Sequence, residues 1–133
     1  MVTVTIQTES RYPIARKKIT KAIQDFLVGK IESDADVSVS FVGDRKIHEL
    51  NKTYRKKDYP TDVLSFPLYD PTQPSPVSFV GPPDDILHLG DIVVSYPMAV
   101  KEAGEQEKMV DDMIEFLVLH GLDHLLGNHH PEE

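Results

Sequence analysis

Hydrophobic and polar positions change period several times along the chain, and each change marks an element. Val2, Val4 and Ile6 alternate with Thr and Gln, which predicts a strand. Over residues 12–28 the period lengthens: Ile19, Ala22, Ile23, Phe26 and Leu27 form one face, with Arg16, Lys17 and Lys21 mainly on the other. This is an amphipathic helix, and Gly29 suits its stop. Val37, Val39 and Phe41 alternate with Ser38 and Ser40 in a second strand. Asp44 is then placed to cap a short helix that turns Ile47 and Leu50 inward. Residues 62–66 (DVLSF) and 89–95 (LGDIVVS) predict a third and a fourth strand. Between them, residues 67–88 hold six of the ten prolines and little periodicity, as in a long surface loop. A short helix is expected over 97–104, ending at Gly104. A last one is expected over 108–126, apolar almost all round from Met113 to Leu119 and therefore buried. The order β-α-β-α-β-β-α-α predicts the α+β class: a single small sheet of about four strands with helices packed on it.

Length adds that residues 1–133 suffice for one domain with a real core. The chain has no cysteine, which removes disulfides and thiolate zinc sites and fits a cytoplasmic location. The first ten residues lack the basic flank and apolar core of a signal peptide. No apolar run approaches the roughly 18 residues of a membrane span, so no membrane partner is expected. Net charge is −8, but it is divided. Residues 1–57 carry 12 Lys/Arg against 7 Asp/Glu, and residues 58–133 carry 2 against 15. Such a division can mark an anion-binding surface on an acidic protein, or simply solvated helix faces.

The candidate chemistry lies at the C-terminus. Four of six histidines fall in HGLDHLLGNHH, residues 120–130. His120 and His124, four apart on a helix, point the same way. Gly127 can take the left-handed conformation that stops the helix, and the chain then returns His129 or His130 toward the pair. Three neutral imidazoles around one ion leave a fourth position open, as in catalytic zinc sites. The bland alternatives are a tail that binds stray metal and core histidines satisfied by carbonyls. Metzincin proteases use the same histidine spacing, but with a glutamate general base directly after the first histidine. Here that position is Gly121, which counts against a protease.

These residues resemble the signature of the YbeY family of metal-dependent endoribonucleases, H-G-x-L-H-L-x-G-Y-D-H. His120, His124, His130, Gly121, Leu125 and Gly127 match it; Asp123, Asn128 and His129 depart from it. Two more blocks, YRKKDYPTDVLSFP at 54–67 and LGDIVVS at 89–95, resemble the family in the same order. The resemblance implies an α+β domain with its metal site at the C-terminal helix. It implies one Zn2+ per chain, or another divalent transition metal, on His120, His124 and His130, with Arg55 in the active-site cleft. It further implies cleavage of single-stranded RNA in ribosomal RNA maturation and ribosome quality control, with ribosomal-protein or GTPase partners. Arg55 is then a candidate phosphate clamp, since its planar fork matches two phosphate oxygens; the alternative is a surface ion pair with Asp58. Lys52, Lys56 and Lys57, with Arg16, Lys17 and Lys21 of the first helix, form a candidate RNA guide. Asp62 and Asp91 are candidates for orienting a ligand histidine or for purely structural roles. Ser65 is a candidate for the cleft wall, and His48 and His88 are read as isolated surface residues. Two other readings stand beside this one: another zinc hydrolase, and a non-catalytic ribosome-associated module with a structural metal.

Overall fold

In a computed structural model, described over residues 1–68 and 86–127, the elements follow the expected order. They are β1 (Val2–Thr8), α1 (Arg16–Leu27), β2 (Ala35–Val42), α2 (Asp44–Arg55), β3 (Val63–Pro67), β4 (Leu87–Ser95), α3 (Tyr96–Glu105) and α4 (Val110–Leu125). The strands form one open sheet in the order β1-β2-β4-β3. β1, β2 and β4 run parallel, and β3 is an antiparallel edge strand. The protein is therefore α+β, one four-stranded sheet with four helices packed on it among the described residues.

Strand alternation divides the core in two, because successive side chains point to opposite faces. Val37, Val39 and Phe41 of β2 and Ile92 and Val94 of β4 meet Ile19, Ile23 and Leu27 of α1, Ala99 and Ala103 of α3, and Met113, Ile114, Leu117, Val118, Leu122 and Leu125 of α4. On the opposite face Val42, Leu64 and Val93 meet Ile47 of α2, with Leu50 and Phe66 beside them. Thus α1, α3 and α4 cover one side and α2 covers the other. Ser95 joins the two sides: its hydroxyl donates to Asp44 Oδ1 at 2.7 Å and accepts the Met98 amide at 3.2 Å, capping α3.

A bulge adjusts β4 to both layers. Asp36 pairs with His88 and Val37 with Gly90, so Leu89 is the extra residue. The insertion turns Leu89 to the same side as Ile92 and buries it fully. Gly90 takes φ +136°, and a Cβ there would lie 2.2 Å from the Phe66 carbonyl oxygen. Only glycine allows β3 to approach β4 this closely.

Several local expectations are corrected. Asp44 does not cap α2: Gly43 is the cap and Asp44 is the first helical residue, its carboxylate taken by Ser95. Gly104 does not end α3, which runs to Glu105. β4 begins two residues earlier than its apolar pattern, since Leu87 and His88 extend the ladder beside Ala35 and Asp36. The predicted loop over 67–88 lies mostly at 69–85, outside the described residues. α4 is not buried all round, because Phe116 is 52% exposed. No helix among the described residues is long and apolar enough to cross a membrane.

Candidate metal centre

His120 and His124 stand one turn apart near the end of α4, both half-buried, with ring centroids 4.7 Å apart and planes tilted by 46°. Nε2 of His124 is fully enclosed. An ion bound at about 2.1 Å to each ring nitrogen sits about 3 Å from each ring centre, so two rings at this spacing fit one shared ion. His120 also stacks on Phe116 (6.2 Å, 22°), and the Lys108 ammonium lies 4.8 Å from the centre of the Phe116 ring. His120 therefore continues a row of side chains that runs from Lys108 through Phe116 along the helix. The inner side holds the helix down.

Gly121 determines how closely α4 approaches the sheet. A Cβ at this position would lie 2.8 Å from Ile92 Cγ2 and 3.2 Å from Val63 Cγ2. A side chain here requires Ile92, Val63 or the helix itself to shift. A glutamate beside His120, the base a metzincin needs, has no room on this face. At the helix end Gly127 takes φ +98°, and its amide donates to the His124 carbonyl at 2.9 Å. The expected left-handed stop is therefore present. His130, and His129 beside it, lie outside the described residues. Among the described residues no group of three or more His, Cys, Asp or Glu is arranged to hold a metal ion. His120 and His124 thus bring two imidazole rings together, and imidazole nitrogen is a donor that zinc-type ions take.

Arg55 lies in the last turn of α2, half-buried and on the sheet side opposite α4. The ion pair with Asp58 considered as its alternative is not formed. Asp58 instead meets His48 Nε2 at 2.7 Å and Lys52 Nζ at 3.9 Å. The His48 hydrogen bond, followed by the Lys52 charge, lowers the Asp58 carboxyl below its ordinary value. His48 is thus not isolated, and neither is His88, whose Nδ1 lies 2.9 Å from both Asp36 carboxylate oxygens. In β3, Ser65 shares its side with Val63, the residue that receives Gly121, and so faces α4. Asp91 is exposed, paired in register with Phe66.

Asp62 belongs to a feature that one-dimensional spacing does not reveal. Its carbonyl accepts the Ser95 amide at 2.8 Å, which fixes the entry to β3. Its carboxyl meets Glu102 of α3. Burial first, then the Asp62 charge and hydrogen bond, push the Glu102 carboxyl up to about 7. The two carboxyls are 40 residues apart in sequence and are brought together only by the packing of α3 beside β3.

The proposed basic guide is also redrawn. Arg16, Lys17 and Lys21 lie on α1, whose sheet face is opposite that of α2 and its Lys52, Lys56 and Lys57. The two groups do not form one track. The α1 cations are also largely engaged: Arg16 donates to the Ile6 carbonyl at 2.8 Å, Lys18 pairs with Asp112, and Lys21 pairs with Asp25 at 2.7 Å.

A family model described as Endoribonuclease YbeY matches residues 4–133. The curated endoribonuclease YbeY of Alkaliphilus metalliredigens is 45% identical over 102 residues, covering 77% of this chain and 62% of that protein. That of Picosynechococcus is 44% identical over 98 residues, covering 74% of this chain and 58% of that protein. That of Bacillus cereus is 38% identical over 125 residues, covering 94% and 77%. The chain thus spans about three-fifths of the length of the first two relatives. A solution structure of a Thermotoga maritima protein matches with a TM-score of 0.61 at 26% identity, covering 98% of this chain and 77% of that one.

Proposed function

The chain belongs to the endoribonuclease YbeY family, and from that premise we propose that it is a metal-dependent endoribonuclease. Its substrate is single-stranded RNA, its reaction is phosphodiester hydrolysis, and its setting is ribosomal RNA maturation and ribosome quality control. One metallohydrolase domain over residues 1–133 carries the activity. The observation that supports this most is the His120–His124 pair, rings 4.7 Å apart, on a helix that Gly121 seats against the sheet and Gly127 ends. His120, His124 and His130 are the residues that would hold a Zn2+ or another divalent transition ion. The chemistry that such an ion supplies when bound is Lewis acidity toward a phosphoryl oxygen or a water.

The chain's own residues do the rest. The histidines bind as neutral donors, so binding weakens as they take up protons. Arg55, which forms no ion pair among the described residues, clamps a phosphate through two parallel N–H donors and stays charged at any working pH. Ser65, on the α4 side of β3, lines the wall beside the histidines. The protease alternative is disfavoured because the residue after the first histidine is a glycine pressed against Ile92 and Val63. The biological setting implies a cytoplasmic location and ribosomal-protein or GTPase partners.

The test uses labelled single-stranded RNA with zinc-loaded protein, the His124→Ala variant and chelator-treated protein. Cleavage should fall by at least about 100-fold in the last two, and elemental analysis of the wild type should give one metal per chain. Cleavage indifferent to both treatments would mean that the activity is not this protein's. Product ends report the nucleophile: a cyclic phosphate marks attack by the RNA 2′-hydroxyl, and its absence marks attack by water.

A further inference from the structure

We propose that the C-terminal turn of α2 and the segment after it, residues 54–59, form a rigid stacking platform for two bases of single-stranded RNA. Tyr54 and Tyr59 are the base-stacking surfaces, and Lys56 and Lys57 are the phosphate contacts. The inference rests on the nuclease reading for its place in the reaction, but the platform is argued from its own residues.

Four observations carry it. The first is exposure: Tyr54 and Tyr59 are 65% and 52% exposed, large rings with a free face in a stretch that is otherwise strongly polar. The second is charge. Residues 45–57 hold six of the fourteen Lys and Arg of a chain whose net charge is −8, against one acid, Glu49. The nearby Asp58 is taken by His48 and Lys52, and Arg55, Lys56 and Lys57 form no ion pair among the described residues. The basic residues of α1, by contrast, are largely engaged.

The third is rigidity. Asn51 is fully buried and holds the segment at several points. Its carbonyl accepts the amides of Lys56 and Lys57, and its Nδ2 donates to the Tyr59 carbonyl at 2.8 Å. Lys56 takes the left-handed conformation (φ +59°) that turns the chain there. Tyr54 is braced edge-on against Phe66, with ring centres 5.3 Å apart at 70°. A braced Tyr54 ring and a backbone held at Tyr59 lose little freedom when a base stacks on them.

The fourth is location. β3 is the sheet edge that both sites share. Phe66 braces Tyr54 on one side of it, and Val63 receives Gly121, next to His120, on the other. A strand stacked on the platform can continue round this edge toward the histidines. Cationic side chains interleaved with exposed aromatics are the chemistry that binds single strands without sequence preference. A duplex, whose bases are already stacked on one another, offers the rings nothing.

The experiment measures fluorescence anisotropy of a labelled 12-nucleotide oligouridylate, and of a 12-base-pair RNA duplex, in chelator so that nothing is cleaved. Wild-type protein should bind the single strand and bind the duplex at least tenfold more weakly. Tyr54→Ala and Tyr59→Ala should each raise the single-strand Kd by about 5- to 100-fold, while Tyr54→Phe, which keeps the π-face, should leave it within twofold. Lys56→Gln with Lys57→Gln should reduce the slope of log K against log salt by about 1.4. Lys17→Gln with Lys21→Gln on α1 should leave Kd within twofold. Tyr59 has no ring contact among the described residues, so its variant reads binding even if Tyr54→Ala disturbs packing. Tyrosine variants that bind like wild type, equal affinity for duplex, or no binding of the single strand at all would each overturn the platform. Tyrosine-sensitive binding by a protein that does not cleave RNA when zinc is added leaves the platform standing and removes the nuclease reading.

Discussion

Gly121→Ala should destabilise the protein although it adds a better helix former, and the size of the effect follows from two distances. The new Cβ would lie 2.8 Å from Ile92 Cγ2 and 3.2 Å from Val63 Cγ2. Ordinary carbon contacts lie at about 3.5–4.0 Å, so about 0.8 Å of movement is needed. Ile92 is fully buried in the larger core and cannot swing into solvent. Overpacking of this kind costs about 1–3 kcal/mol, and the gain in helix propensity offsets up to about 1 kcal/mol. The expected net loss is about 1–2 kcal/mol in urea denaturation. Gly104 provides the control. It also lies in a helix, but a Cβ there meets nothing within 4 Å, so Gly104→Ala should stabilise by about 0.5–1 kcal/mol. Ile92→Ala removes the clashing methyl, so in a double-mutant cycle it should recover about 1 kcal/mol of the Gly121→Ala cost. If Gly121→Ala stabilised the protein as Gly104→Ala does, or if the cycle were additive, close packing of α4 on the sheet would not be what demands glycine. The His120–His124 pair would then lose its argued support.

Gly90→Ala should be more severe than Gly121→Ala, by more than about 3 kcal/mol, because the obstacle is the Phe66 carbonyl at 2.2 Å and φ is +136°; a near-native thermal midpoint would refute this. Glu102, at about 7 when folded and ordinarily 4.5, binds a proton in the folded state that the unfolded state has released. Its contribution is therefore present at and below about pH 4.5 and is lost as pH rises through about 7. Glu102→Gln should match wild type near pH 4.5 and exceed it by about 1 kcal/mol at pH 8, after reduction for solvent screening; equal stability at pH 8 would show that burial and Asp62 do not raise the Glu102 carboxyl. His120→Ala and His124→Ala should each weaken zinc binding at least about 100-fold by calorimetry; unchanged affinity in either variant would remove that residue from the site.

What the sequence alone determined was whatever depends on neighbours along the chain. The period-2 and period-3.6 patterns carried the strands, the helices and the α+β class, because apolar periodicity records which face an element buries. The four-residue spacing of His120 and His124 and the left-handed Gly127 were legible for the same reason: helix geometry alone relates them. The quoted motifs also carried the family. Tertiary structure decided what depends on residues distant in sequence. Nothing in the local pattern of α1 and α2 says that they cover opposite faces, so their basic residues read as one track until strand alternation separated them. Nothing along the chain singles out Glu102, and only the packing of α3 beside β3 brings it to Asp62 and raises its carboxyl. Asp58 is the near neighbour of Arg55 in sequence, yet the turn held by Asn51 delivers it to His48 and Lys52. Gly121 looked like a missing glutamate; its physical role, the absence of a side chain against Ile92 and Val63, exists only where helix meets sheet.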